Sequence, residues 1–241
     1  MSSDPIRSFD KKFLRKALSE LGKQYRKLSG KNIPAEIILV GGASIVANYG
    51  FREMTTDVDA LIYASSAMKA AISRVSDKFS LPARWLNEDF KCTDSFSIQL
   101  REVSEYYGTF SNVLEVRTIR DEFLIAMKLR SGRLYRHDLS DIVGILAEHE
   151  KINNPISKKQ IMMAIEKLYG KDKPISDSSL DLLEKLFRKS TDFAAVYNET
   201  VQQERYSQSI LLTHQEESNE QITEANANEI IKRLERRAKK D

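Results

Sequence analysis

Residues 37–62 read IILVGGASIVANYGFREMTTDVDALI, and the reading of this stretch decides the fold. Ile37–Val40 is a short, β-branched apolar run closed by Gly41-Gly42, the pattern of a buried strand. Ala43–Tyr49 suits a helix that ends near Gly50, and Val58–Tyr63 (VDALIY) predicts a second strand. Glycine lets backbone approach a ligand closely. A helix N-terminus presents unpaired N–H groups and a partial positive charge, which suit a phosphate. The Ser44 hydroxyl adds a donor there. Residues two apart on a strand face the same way, so Asp57 and Asp59 set two carboxylates side by side. Such a pair repels unless a cation neutralises it, and hard oxygen ligands suit Mg²⁺ or Mn²⁺. Each element alone has a plain reading, as a turn or a solvated strand start. The ordered combination of strand, Gly-Gly-x-Ser, helix and Asp-x-Asp strand outlines a nucleoside-triphosphate site.

Outward from this stretch the pattern is mixed. Residues 9–29 carry Phe13, Leu14, Ala17, Leu18, Leu21, Tyr25 and Leu28 at helical spacing, with a basic opposite face. Gly30 and Pro34 break the chain. Residues 65–79 predict a helix capped by Ser65 or Ser66, with Met68, Ile72, Val75 and Phe79 on one stripe. Phe96–Val103 and Asn112–Ile119 read as strands. Residues 120–149 read as two helices broken near Gly132. From 157 onward the pattern is helical, punctuated by Pro174 and a Ser/Asp-rich stretch at 176–179. Residues 215–229 are acidic and polar, residues 232–240 basic, and this charged tail reads as helical or frayed.

Composition bounds the class. The 241 residues have room for one large or two modest domains. Lys plus Arg is 38 and Asp plus Glu is 35, so the net charge of +3 excludes a uniformly basic nucleic-acid binder, and any basic patch is local. A single cysteine, Cys92, excludes an internal disulfide framework. With no apolar leader, this predicts a cytoplasmic protein. No apolar run approaches membrane-spanning length. No P-loop and no GxGxxG is present.

The motifs resemble the nucleotidyltransferase superfamily with a DNA polymerase β-like palm, whose hallmark is a glycine–glycine/serine turn followed by an Asp-x-Asp strand. The closer resemblance is to bacterial AbiEii- and MenT-type nucleotidyltransferase toxins. It rests on Arg52-x-x-Thr55-Thr56-Asp57, Trp85-Leu86-Asn87, Leu124-Ile125-Ala126-Met127-Lys128-Leu129, Arg133 and His137-Asp138-Leu139-Ser140-Asp141-Ile142, and it covers roughly residues 35–150. The resemblance implies an α+β fold: an N-terminal helix at 1–34, a mixed-sheet palm at 35–120, a helical domain at 121–214 that completes the site, and the tail at 215–241. It implies Mg²⁺- or Mn²⁺-dependent transfer of a nucleoside monophosphate from a triphosphate. Gly41, Gly42, Ser44, Arg52 and Lys128 would hold the triphosphate. Asp57 and Asp59 would hold metal, with Glu115 the best candidate for the superfamily's third carboxylate and Glu102 its rival. The acceptor implied is a tRNA 3′ end or a protein hydroxyl, and the partner an antitoxin.

The second cluster also has chemistry of its own. Lys128 sits in an apolar helical stripe, where an ammonium either snorkels to solvent or binds phosphate as a point charge. Asp138 and Asp141 share a helix face. They either cap that helix, orient Lys128, or accept a proton from the acceptor. An HD-type phosphohydrolase is excluded, because no histidine precedes His137 among the three present. A HEPN-type RNase pairing of Arg130 with His137 leaves the palm motifs unexplained. A degenerate nucleotide-binding or antitoxin-like module, and an aminoglycoside-type nucleotidyltransferase, remain as alternatives.

Overall fold

The computed structural model describes residues 8–171, 175–188, 191–218 and 220–238. Pro174 and residues 239–240 of the basic run lie outside them. In chain order the elements are α1 (Lys11–Ser29), β1 (Ala35–Leu39), α2 (Gly41–Asn48), β2 (Val58–Tyr63), α3 (Ala67–Phe79), β3 (Leu86–Asn87), β4 (Ser104–Phe110), β5 (Leu114–Ile119) and α4 (Asp121–Ser131). There follow α5 (Asp138–Lys151), α6 (Lys158–Tyr169), α7 (Asp177–Leu186), α8 (Phe193–Glu217) and α9 (Ala227–Ala238). The architecture is α+β with a mixed five-stranded sheet ordered β3-β2-β1-β5-β4. β1 runs antiparallel to β2 and parallel to β5.

The chain divides into two compact units, one of residues up to 127 with 164–170, the other of 128–163 with 171 onward. The first is built around the sheet. α1 starts where the Asp10 carboxylate accepts from the Phe13 N–H at 2.6 Å. Its buried stripe of Leu14, Ala17, Leu18, Leu21 and Tyr25 packs with α3 residues Met68, Ala71 and Val75. Both join Ile37, Leu39, Val58, Ala60, Leu114 and Val116, which the strand register puts on one face of the sheet. Trp85 closes this core, its indole N–H donating to the Ile72 carbonyl and its ring stacked on Phe9. Its carbonyl accepts from the Val58 N–H at 2.9 Å, so the Trp85-Leu86-Asn87 segment becomes a two-residue strand beside Asp59.

One expected strand is corrected. Phe96–Val103 forms a 3₁₀ turn over Ile98–Arg101, begun by the Ser97 hydroxyl accepting from the Gln99 N–H. Its apolar alternation is accidental, since Ile98 is 86% exposed. The strand lies one segment later, in Ser104–Phe110, paired antiparallel with β5. Ser111 (φ 55°) and Asn112 (φ 58°) are the central residues of the Phe110–Val113 turn between them, in which the Val113 N–H donates to the Phe110 carbonyl at 3.3 Å. The strand expected over Asn112–Ile119 therefore begins at Leu114.

In the second unit, α5 packs along α8. The link is Glu204 of α8. Its carboxylate accepts from the backbone N–H groups of Leu139 and Ser140, each at 3.0 Å, and from the Ser140 hydroxyl at 2.6 Å. An acidic side chain from another helix thus satisfies the first turn of α5. A smaller cluster of Leu211, Ala227, Ile230 and Ile231 gathers Leu134, Tyr135, Ile222 and Leu234.

Candidate active site

The first unit holds a site at the start of α2. Gly41 has φ +53°, a backbone conformation that side chains disfavour. Gly42 is required for space. A Cβ there would lie 2.8 Å from Arg52 Nη2 and 2.8 Å from Thr55 Oγ1. The guanidinium and the hydroxyl are therefore packed directly on the glycine turn. α2 begins at Gly41 without a side-chain cap from Val40. Thr55 is fixed from behind by a backbone bridge to Phe9, with N–H···O distances of 2.7 and 3.0 Å. Its hydroxyl lies 3.5 Å from Asp57 Oδ1. Gly42, Arg52, Thr55 and Asp57 thus form one contiguous patch.

Strand alternation turns Asp59 of β2 away from the α1–α3 core, Asp57 stands just before the strand, and both are half-buried. Among the described residues no group of three or more His, Cys, Asp or Glu side chains could hold a metal ion.

Three expectations are corrected by this geometry. Ser44 is completely buried, and its hydroxyl oxygen accepts from the Ile119 N–H at 3.3 Å. It faces the sheet because it is the fourth residue of α2, and it anchors that helix to β5. Glu115 stands level with Glu36 and Tyr63 in the register. Tyr63 is four residues beyond Asp59, roughly 13 Å along the strand, and β5 lies two strands over. Glu115 instead pairs with Arg117 at 2.9 Å. Glu102 follows the 3₁₀ turn and is highly exposed. Neither glutamate joins the aspartate pair. The position on β5 level with Asp59 is the apolar Ile119, which sequence alone, lacking the register, does not reveal.

The second unit holds the other cluster. Lys128 Nζ lies 2.9 Å from Asp138 Oδ1 and 2.8 Å from Asp141 Oδ2. The three side chains are 8%, 0% and 2% exposed, so this is a buried ion-pair network. Arg133 completes it, with its Nε 2.9 Å and its backbone N–H 3.2 Å from Asp138 Oδ2. Burial by itself pushes the Asp138 carboxyl up, but the Lys128 and Arg133 charges hold it far below the usual carboxylate range. Asp138 is therefore a carboxylate at neutral pH, with both oxygens bonded to Lys128 and Arg133. The N-cap of α5 is His137, not Asp138. Arg133 was legible as a motif residue; its double hold on Asp138 was not.

A mixed palm sheet with a glycine-led helix and an Asp-x-Asp strand defines the nucleotidyltransferase class. The family model for nucleotidyltransferases of unknown function (DUF6036) matches residues 16–208, and the chain belongs to that family. Searches of curated proteins and of solved structures returned no match. Among the described residues no helix is long and apolar enough to cross a membrane.

Proposed function

We propose that the protein transfers a nucleoside monophosphate from a nucleoside triphosphate to an acceptor hydroxyl, with Mg²⁺ or Mn²⁺ held by Asp57 and Asp59. The observation that carries this is the packing of the Arg52 guanidinium and the Thr55 hydroxyl into the space beside Gly42 that a Cβ would occupy, next to Asp57. A guanidinium is a bidentate phosphate donor, and the N–H groups opening α2 add a partial positive charge. Together they suit the β- and γ-phosphates. When bound, the metal neutralises negative charge on the phosphates. In the reaction the acceptor oxygen bonds to the α-phosphorus, the bond to the bridging oxygen breaks, and pyrophosphate and the acceptor's proton leave. Lys128, an ammonium fixed by two carboxylates, is a preset point charge of the kind that phosphate chemistry uses.

The resemblance to AbiEii- and MenT-type toxins directs the acceptor search to tRNA 3′ ends and protein hydroxyls, in a toxin–antitoxin setting. The test incubates the protein with Mg²⁺, each labelled nucleoside triphosphate in turn, and total RNA or cell lysate. Label should appear on one acceptor class and vanish in the Asp57→Ala/Asp59→Ala double variant. Label that persists in that variant overturns the assignment. Nucleotide binding without transfer to any acceptor supports the degenerate binding module.

A further inference from the structure

The family match ends at residue 208, yet residues beyond it reach back to the Lys128 cluster. Asn228, in α9, holds the chain between α4 and α5 at two points. Its Nδ2 donates to the Gly132 carbonyl at 2.9 Å, and its Oδ1 accepts from the Leu134 N–H at 3.0 Å. The residue gripped between those points is Arg133, whose backbone and guanidinium both bind Asp138. Glu224 sits 3.3 Å from Arg133 and 3.2 Å from Arg136. Leu134 and Tyr135 pack against Ala227, Ile230 and Ile231. One chain of contacts, all within the second unit, therefore runs from Asn228 through Arg133 and Asp138 to the Lys128 ammonium.

We infer that Asn228 is a positioning residue for Lys128, and that the 220–238 segment is the clamp that fixes the ammonium's place. The physical case rests on alternatives open to the loop. Gly132 has φ +56°, so the turn is in a conformation that favours glycine, a hinge that permits other paths. Without the amide, the Gly132 carbonyl and the Leu134 N–H need new partners, and the loop gains a reason to move. Arg133 would move with it, since its backbone N–H is itself a ligand of Asp138. The bearing of this clamp on turnover rests on the nucleotidyl-transfer reading above. Its bearing on Lys128 does not.

The test therefore reads Lys128 directly. The full-length protein and its Asn228→Ala variant are treated with an acetylating reagent, and initial rates at single lysines are followed by peptide mass spectrometry. Lys128 should be protected in the parent protein and react about tenfold faster in the variant, while exposed Lys23 keeps its rate. Amide exchange across 132–137 should accelerate in parallel. If Asn228→Ala fails to fold, Asn228→Asp keeps the acceptor for Leu134 and sets a carboxylate oxygen against the Gly132 carbonyl in place of the donor, and a rise in the same direction is expected. Unchanged Lys128 protection in a folded variant, with only the melting temperature lowered, overturns the inference. If label transfer is seen in the parent, the variant should lose kcat/KM for the nucleotide, because Lys128 is the proposed phosphate contact. The protection ratio decides the matter of geometry whether or not transfer is observed.

Discussion

Gly41 and Gly42 are neighbours with different duties, and substitution separates them. Gly41→Ala strains a left-handed backbone but meets nothing within 4 Å, so it should cost about 1 kcal/mol of stability and little else. Gly42→Ala meets both the flexible Arg52 guanidinium, which can swing away, and Thr55 Oγ1, whose backbone is held to Phe9, so it should displace Arg52 and cost about 1–3 kcal/mol of stability. That same movement dismantles the proposed phosphate contact. Calorimetric titration with a nucleoside triphosphate should show affinity falling about tenfold, the loss expected of a charge-assisted hydrogen bond. Equal affinity in Gly42→Ala and parent would remove Arg52 from the site. Lys128→Ala acts by another route, since it strands the buried Asp138 and Asp141 carboxylates. Breaking a buried pair from one side costs about 3–5 kcal/mol, readable by urea unfolding at neutral pH. The pH dependence has a defined sign. The folded-state pKa of Asp138 is lowered, so its contribution is complete above the ordinary carboxylate pKa of about 4 and is lost as pH falls below it. Asp138→Asn should flatten that acid limb of the stability curve.

At the scale of elements, what the sequence disclosed depended on how far a signal had to travel. β1 and β2 were legible because each is an apolar run with its own boundary, Gly41-Gly42 after one and Asp57 before the other. β4 was not, because SEYYGTF is an edge strand with only its two end residues buried, and an edge needs little apolar alternation. Ile98, pointing outward in a 3₁₀ turn, counterfeited the alternation that β4 lacks. Glu115 was misassigned for a related reason. The strand was found, but its level against β2 is set by pairing through β1, which no local pattern encodes. The β4–β5 turn offers a prediction at this scale. Ser111 holds φ 55° at a position where glycine carries no steric cost. Ser111→Gly should therefore stabilise the protein by about 0.5–1 kcal/mol, seen as a raised urea midpoint with unchanged slope. A lowered midpoint would mean that the serine side chain contributes more than the turn geometry takes away.

Across the whole molecule, near-neutral charge conceals carboxylates of opposite character. Asp57 and Asp59 are half-buried, whereas Asp138, Asp141 and Glu204 are buried and committed to protein partners. The first pair is the proposed cation site, and the second set joins elements of the second unit. Glu204 separates the two roles most cleanly. Nothing in residues 193–217 signals a site, since the partner is 64 residues distant in Ser140. Yet this one carboxylate satisfies two N–H groups and a hydroxyl at the head of α5, the helix that presents Asp138 and Asp141. Glu204→Ala should leave those groups buried without acceptors and cost about 2–4 kcal/mol, more than an exposed helix cap is worth. Glu204→Gln keeps one acceptor oxygen but loses the charge at the helix N-terminus, so it should fall between alanine and the parent. Unfolding in urea at neutral pH ranks the three. If glutamine equals the parent, the carboxylate acts through hydrogen-bond geometry alone; if glutamine equals alanine, its charge carries the cap.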